Sequence, residues 1–359
     1  MLYLLALVRT AIALHGISEQ QCYNDRLNRK VLGTSLNHVE TKSNATHEAP
    51  HPAGGNGHAV GLAPIALFVY NRPEHTRRTI ERLRDNALAS KSDLHIFSDA
   101  AKNENASAAV EQVRKFIQSI DGFRSITIIE RRSNFGLAAS VIDGITQLCE
   151  RYGQVVAVED DLLTAPDFLT FMNSALDHYR STPKVFSIGA FSFGVRAPKG
   201  YPSDTFFSYR SCSWGWATWR DRWMQADWQV SDYPDFRSDR KRLRKFSRGG
   251  GDLARMLARQ MAGELDSWAI RWAYAHCAHD AVALLPVESR VFNIGLDGSG
   301  THCRRVPLTQ GALASETNTV YRWPDDLSPL PYFTDQIRMD RPGSLVGRIG
   351  KYLKRRFVP

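Results

Sequence analysis

The stretch "VVAVEDDLLTAPDF" occupies Val155–Phe168. Four apolar residues run directly into the consecutive carboxylates Glu159, Asp160 and Asp161. A short apolar run of this kind reads as a buried strand, and the charge marks where the strand leaves the core. Working outward, the same pattern recurs. "PIALFVY" (64–70), "LHIFSD" (94–99) and "SITIIE" (125–130) are further short apolar runs. Between them lie helical spacings over Glu74–Leu88, Ala106–Ile120 and Leu137–Tyr152, the second with Val110, Val113, Phe116 and Ile117 on one face. Alternating strands and helices specify an α/β fold: a mostly parallel sheet with helices on both faces.

In such a sheet the ligand site lies beyond the carboxyl ends of the strands. All the predicted strand exits are polar: Asn71-Arg72, Asp99, the stretch Arg131–Gly136, and Glu159-Asp160-Asp161. A parallel arrangement carries them to one edge. After the carboxylates, Pro166 opens a helix whose stripe of Phe168, Phe171, Met172, Ala175, Leu176 and Tyr179 reads as structural.

The chain has 359 residues, a formal net charge of +9 and an ordinary globular composition. The positive balance favours anionic partners, but the cations are dispersed and no nucleic-acid-binding pattern is present, so nucleic acid is not expected. The cysteines Cys22, Cys149, Cys212, Cys277 and Cys303 are odd in number and irregularly spaced. That argues against a disulfide framework or a structural zinc site, and fits a reducing, cytoplasmic compartment.

Residues 1–60 stand apart. "MLYLLALVRTAIALHG" is apolar but broken by Arg9, and 37–61 is rich in His, Gly, Ala, Asn and Pro without periodicity. This segment reads as a disordered or appended leader, with a weak membrane anchor and an overlong start both open. Residues 61–305 form the expected main domain and 306–359 a C-terminal extension. The extension ends in "SLVGRIGKYLKRRFVP", where Leu345, Ile349 and Leu353 lie among cations. That is the pattern of a basic amphipathic tail able to sit on an anionic membrane, here the inner face of the cytoplasmic membrane, or of a solvated basic tail.

Adjacent carboxylates repel one another, and a divalent cation relieves the repulsion. Hard carboxylate oxygens suit Mn²⁺ or Mg²⁺, which also bind phosphate oxygens. If the segment is extended, Glu159 and Asp161 point one way and Asp160 the other. Asp161, the outermost, is then the metal ligand, Asp160 reaches a neighbouring hydroxyl such as a ribose, and Glu159 makes a structural hydrogen bond. The plain alternative is a solvated loop after a strand.

With these residues in view, "VVAVEDDLLTAPDFLTFM" resembles the metal-binding segment of GT-A glycosyltransferases. It is most similar to the N-acetylglucosaminyltransferase I family, whose Glu-Asp-Asp stands where Asp-x-Asp is commoner. "PIALFVYNRPEHTRRTIERL" resembles the same family and the wider family 2 transferases, including the bacterial surface-polysaccharide type. The likeness covers Pro64 to Cys303 and is patchy in its second half. It implies a nucleotide-sugar donor, a UDP-sugar by preference, with Mn²⁺ or Mg²⁺ on the diphosphate. It also implies inversion at the anomeric carbon and a glycan or lipid-linked acceptor.

By the same resemblance Arg72 contacts the nucleotide base and Asp99 reads the uracil edge. Asn134 and Gly136 line the stretch after the third strand. Asp160 holds the ribose and Asp161 the metal. An Arg72–Asp99 salt bridge and a simple turn at Asn134–Gly136 are the structural alternatives. An inverting transfer needs a general base. "ELDSWAIRW" (264–272) is similar to the segment carrying it, which makes Asp266 the first candidate and Glu264 the second. The surrounding "GELDSWAIRWAYAH" reads as a helix on which Trp268 and Trp272 brace the acid. In "NIGLDGSGTHC" (293–303), the glycines allow close backbone approach and His302 is placed on the metal or the diphosphate. Arg271 and the basic run before Gly249 are set to offset diphosphate charge.

The tryptophans of "SCSWGWATWRDRWMQADW" (211–228) read mainly as packing, with Trp214 or Trp216 reserved for stacking on a sugar. A non-catalytic nucleotide- or sugar-binding module is the competing reading. A receiver-like domain is disfavoured, because its key acids follow the first strand, which here ends in Asn71-Arg72.

Overall fold

The computed structural model describes residues 38–42, 61–298, 310–315 and 317–339. Chain contacts divide it into Met1–His38 and Val39–Pro359, and the site lies wholly in the second unit. His302, the basic tail and the leader apart from residues 38–42 lie outside the described residues; residues 38–42, within the stretch read as aperiodic linker, form a strand of the main sheet.

The strands are β1 (His38–Lys42), β2 (Ile65–Val69), β3 (Asp93–Ser98), β4 (Ser125–Glu130), β5 (Gln154–Glu159), β6 (Leu162–Thr164), β7 (Val185–Gly189), β8 (Thr205–Ser208), β9 (Trp216–Trp219), β10 (Val282–Pro286) and β11 (Val291–Asn293). The main sheet runs β1-β4-β3-β2-β5-β9-β7-β10-β8, and β6 pairs with β11 in a small antiparallel ribbon. β2, β3, β4 and β5 are mutually parallel. β9 runs antiparallel between β5 and β7. The sheet is therefore mixed, with the expected parallel half intact.

The helices are α1 (Pro73–Arg84), α2 (Glu104–Ile117), α3 (Leu137–Tyr152), α4 (Phe168–His178), α5 (Arg220–Trp223), α6 (Tyr233–Ser238), α7 (Arg240–Phe246), α8 (Leu253–Met261), α9 (Trp268–Ala278) and α10 (Pro331–Met339). Side chains alternate along β2 as a pleated strand requires. Ile65, Leu67 and Val69 join the core under α1, α2 and α4. Ala66 and Phe68 join the core under α3 and α9. Both faces are thus covered, which is why the parallel strands are apolar throughout. A third cluster gathers Phe236, Phe246, Leu257 and Tyr274 among the short helices of the second half. Phe333 of α10 stacks on Phe206 of β8 at 4.2 Å, so part of the expected C-terminal extension is built into the main core.

Two local differences from expectation have simple causes. α1 ends at Arg84 because Asn86 turns back: its amide donates to the Arg82 carbonyl at 3.0 Å and to Thr164 Oγ1 at 3.1 Å. α9 starts at Trp268 rather than Gly263. Gly263 has φ +76°, and Ser267 caps the helix by accepting from the Ile270 N–H. Glu264 and Asp266 therefore precede the helix instead of lying on it.

Candidate functional site

Parallel register brings the strand exits level. Phe68 pairs with Phe97 and with Glu159, and Phe97 with Ile129. The residues that follow form one polar edge, as the sequence implied. Lateral order then decides who meets whom. β2 adjoins β5, so Arg72 meets the acidic turn. β3 adjoins β4, so Asp99 meets Asn134.

The first group is Arg72, Asp160 and Asp161. The Arg72 guanidinium ion-pairs with Asp160, and its Nη1 lies 3.0 Å from Asp161 Oδ2. The chain turns at Asp160–Asp161, which breaks strand alternation. Both carboxylates therefore face one cation, and the expected split that placed Asp160 opposite Asp161 is not what the fold builds. One oxygen of each, Asp160 Oδ2 and Asp161 Oδ1, is buried without a hydrogen-bond partner among the described residues. Burial drives the Asp160 carboxyl above its usual range against the opposing pull of Arg72. Burial, then Asp161 and Asp160, push Glu159 up to about 8. For Arg72, burial disfavours the charge, but Asp160 and Asp161 outweigh it and the net shift is upward.

Neighbouring elements fix this turn. Thr79 Oγ1 of α1 donates to the Asp160 carbonyl at 2.9 Å. The β6–β11 ribbon pairs Leu162 with Asn293, which brings Gly295 against Asp161. The Ile294 N–H donates to the Asp161 carbonyl at 2.9 Å. Gly295 sits so close that a β-carbon there would overlap Asp161 Oδ2 and press on Arg72 Nη1. At this position glycine is required by space. His75 Nε2 of α1 reaches Asp297 Oδ2 at 3.2 Å, tying the same loop from its other side. Sequence reasoning passed over His75, whose only signal is a ring in the first turn of the helix after Arg72.

The second group is Asp99 with Asn134–Gly136. Asp99 Oδ1 accepts the N–H groups of Ala100 at 2.9 Å and Phe135 at 2.8 Å. Its Oδ2 accepts Asn134 Nδ2 at 3.0 Å and the Gly136 N–H at 2.9 Å. Asn134 Nδ2 also donates to the Ala100 carbonyl at 2.8 Å. Four donors occupy the acceptor capacity of one carboxylate. Asp99 is thus the staple that shapes the β4–α3 loop. Gly136, at φ +75°, leads into α3.

The third group comes from the second half. Trp216 pairs with Ala157 and with Gly189 in antiparallel register, so Trp214, two residues earlier, stands by the carboxyl end of β5. Trp214 packs against Phe191 at 4.6 Å, where β7 leaves the sheet. Together with Arg210, Met256, Ile270 and Ala273 they line a cavity of about 170 Å³. Arg210 is buried and held by Asp252 through hydrogen bonds of 2.8 and 2.9 Å. Phe193, also on the wall, has φ +57°, a strained conformation for a bulky residue and one that concentrates at functional positions. Trp216 is only 1% exposed and belongs to the core with Trp223, Trp268 and Trp272. Of the two tryptophans singled out, only Trp214 reaches the cavity.

Asp266 precedes α9, whose position follows from its aromatic contacts. Trp268 stacks on Trp216 at 4.9 Å, and Trp272 on Phe186 at 5.8 Å. α9 consequently runs antiparallel to β7, with its N-terminus toward the carboxyl edge. Asp266 is exposed there, 3.4 Å from Arg271 Nη2.

Hard divalent cations are commonly held by one or two carboxylates plus substrate phosphates and water, not by an all-protein cage. No group of three or more His, Cys, Asp or Glu gathers at ligand spacing among the described residues. The two unpartnered oxygens of Asp160 and Asp161 fit the open type of site.

No protein-family model matches the chain, and no curated protein matches it. Solved structures with a similar fold include a mannosyltransferase from Pyrobaculum calidifontis in complex with GDP-Man and Mn²⁺. It shows 14% identity, a TM-score of 0.30 and coverage of 45% of each chain. GalNAc-T7 with UDP, GalNAc and Mn²⁺ is similar at 9% identity and a TM-score of 0.39, covering 65% of this chain and 43% of that one. S. aureus TarS 1–349 is similar at 10% identity and a TM-score of 0.36, covering 64% of this chain and 58% of that one. The chain spans roughly half the length of these structures. They are partial likenesses, and function has to be argued from the site itself.

Proposed function

We propose that this chain is a metal-dependent, inverting glycosyltransferase. It moves a sugar from a nucleotide-sugar, a UDP-sugar by preference, to a glycan or lipid-linked acceptor in surface-polysaccharide assembly. The observation that carries this reading is the pair of buried, unpartnered carboxylate oxygens at the carboxyl edge of a parallel sheet. Gly295 packs directly against the Asp161 carboxylate. The polar edge marks a ligand site, and its acids suit a cation that in turn suits a diphosphate.

On this reading Asp161 and Asp160 hold Mn²⁺ or Mg²⁺, with His302 as a further ligand from the glycine-rich loop. The bound cation supplies positive charge to the diphosphate as it leaves. Arg72 supplies a guanidinium at the same place, suited to bidentate phosphate contact. Asp99 and Asn134 shape the wall that receives the nucleotide. The acceptor ring rests against Trp214 in the aromatic cavity, and Asp266 takes the proton from its attacking hydroxyl. Arg271 Nη2, 3.4 Å from Asp266 Oδ1, orients that carboxylate. No helix among the described residues is long and apolar enough to cross a membrane. The basic tail is proposed to bring the protein to an anionic membrane surface.

The competing reading, a module that binds nucleotide or sugar without transfer, is separated by one assay. The full chain with Mn²⁺ is offered a panel of UDP-, GDP- and dTDP-sugars, and nucleotide release is followed with and without glycan acceptors. Acceptor-stimulated release that drops at least about a hundredfold in Asp266→Asn supports the transferase. Nucleotide binding with no acceptor-stimulated release from any donor would contradict it.

A further inference from the structure

We propose that Arg72 is the resident counter-cation of Asp160 and Asp161, and that it must give up Asp161 before a divalent metal ion binds there. This rests on the donor-site reading above but concerns a step that reading leaves open: what occupies the acidic pair before the donor arrives.

The chain folds a permanently charged guanidinium onto both carboxylates. The side chains are 17% exposed for Arg72, 6% for Asp160 and 9% for Asp161. Two buried carboxylates without a cation would repel strongly, and Glu159 adds a third acid at the same strand end. Arg72 meets that need within the chain. It leaves one oxygen of each carboxylate unpartnered, so one positive charge offsets the pair only in part and does not saturate it. A metal ion drawn to those oxygens meets the guanidinium at close range, and two cations on one acidic pair repel.

Arg72 is placed to yield. It is the N-cap residue of α1, with φ −121° and ψ 76°, and it serves the helix through its backbone carbonyl, which accepts from the Thr76 N–H at 2.9 Å, not through its side chain. The side chain can therefore turn without moving the helix. A diphosphate entering the edge offers the fork-like guanidinium two oxygens in place of Asp161. Nucleotide binding and metal binding are thereby linked through one side chain. Gly295, packed against both Asp161 and Arg72, leaves the backbone of the covering loop close to where the exchange happens.

The test uses Mn²⁺ alone, with no nucleotide, titrated into the full chain and followed by the electron paramagnetic resonance signal of free Mn²⁺. Native protein, Arg72→Met, Arg72→Lys and the double variant Arg72→Met/Asp161→Asn are compared. The proposal expects Arg72→Met to bind Mn²⁺ about tenfold or more tightly than native, since one unit charge is removed at contact distance. Arg72→Lys, which can pair with one carboxylate at a time, falls between them. The double variant loses the gain. Should Arg72→Met fail to fold, as judged by circular dichroism and a melting curve, Arg72→Lys carries the test with the same sign. Equal or weaker Mn²⁺ binding in the Arg72 variants overturns the proposal. If native protein still binds UDP with Mn²⁺ in that case, only the counter-cation role fails. If neither Mn²⁺ nor UDP binds native protein or any variant, the donor-site reading fails with it.

Discussion

Asp99 and Asp161 are both acids at strand ends, yet their surroundings give them opposite characters. Four N–H donors saturate Asp99, while Asp161 keeps a buried oxygen unpartnered. Replacing Asp99 by Ala strands those donors. The expected loss of stability is on the order of 2–4 kcal/mol, read from denaturant unfolding, because unmade buried hydrogen bonds are costly. A loss below the error of that measurement would refute the staple. Gly295→Ala has a different expected profile. Overpacking against Asp161 costs about 1–3 kcal/mol, and donor-nucleotide affinity falls with it, because the carboxylate must shift. An unchanged titration of UDP with Mn²⁺ in this variant would show that the loop does not define the site. The residues of the edge were legible in the sequence, since polar residues stood at every strand exit. Their partnerships were not. Sequence order gives no lateral order, and only the β4-β3-β2-β5 arrangement sends Arg72 to Asp160 and Asp161 and Asn134 to Asp99.

Strands β2, β3, β4 and β5 and helix α3 follow the sequence pattern closely, because strands buried on both faces have no polar alternation to misread. The second half was read less completely. β9 is antiparallel and inserted between β5 and β7, a topology that no local periodicity encodes. The tryptophans of that region separate by element. Trp272 of α9 stacks on Phe186 inside the core, whereas Trp214 lies in the loop before β9 and lines the cavity. Trp272→Ala should cost about 3–5 kcal/mol of stability, as large aromatic truncations do. Trp214→Ala should cost less stability and instead raise the KM for acceptor, leaving donor binding intact. Thermal melts and acceptor titrations on both variants check the division. Equal losses of stability, with no change in acceptor KM for Trp214→Ala, would place both tryptophans in packing alone.

For the molecule as a whole, two buried histidines contribute to its acid sensitivity. Burial lowers His95 to about 4 and His276 to about 4, so both are neutral in the folded state. His276 is further held by Ser187 Oγ at 2.8 Å and the Trp272 carbonyl at 2.8 Å. An unfolded histidine takes up its proton near pH 6.5 and the folded ones do so only near 4. Between those values the unfolded histidines bind more protons, so their contribution to stability is full above about pH 6.5 and falls as pH drops toward 4, while Glu159, raised to about 8, works in the opposite direction. The loss is on the order of a few kcal/mol per histidine, and His276→Gln should flatten part of the slope. A His276→Gln variant with the same pH slope as the native protein would contradict the neutral burial of that ring. At the same scale, the sheet and the ribbon leading to Gly295 meet at one edge, and the central claim is that this edge is a metal-dependent donor site. Calorimetric titration of UDP into the full chain, with and without Mn²⁺, alongside Asp161→Ala, tests it most directly. The account predicts binding that requires Mn²⁺ and disappears in the variant. Binding of UDP that is indifferent to both the metal and Asp161 would contradict it.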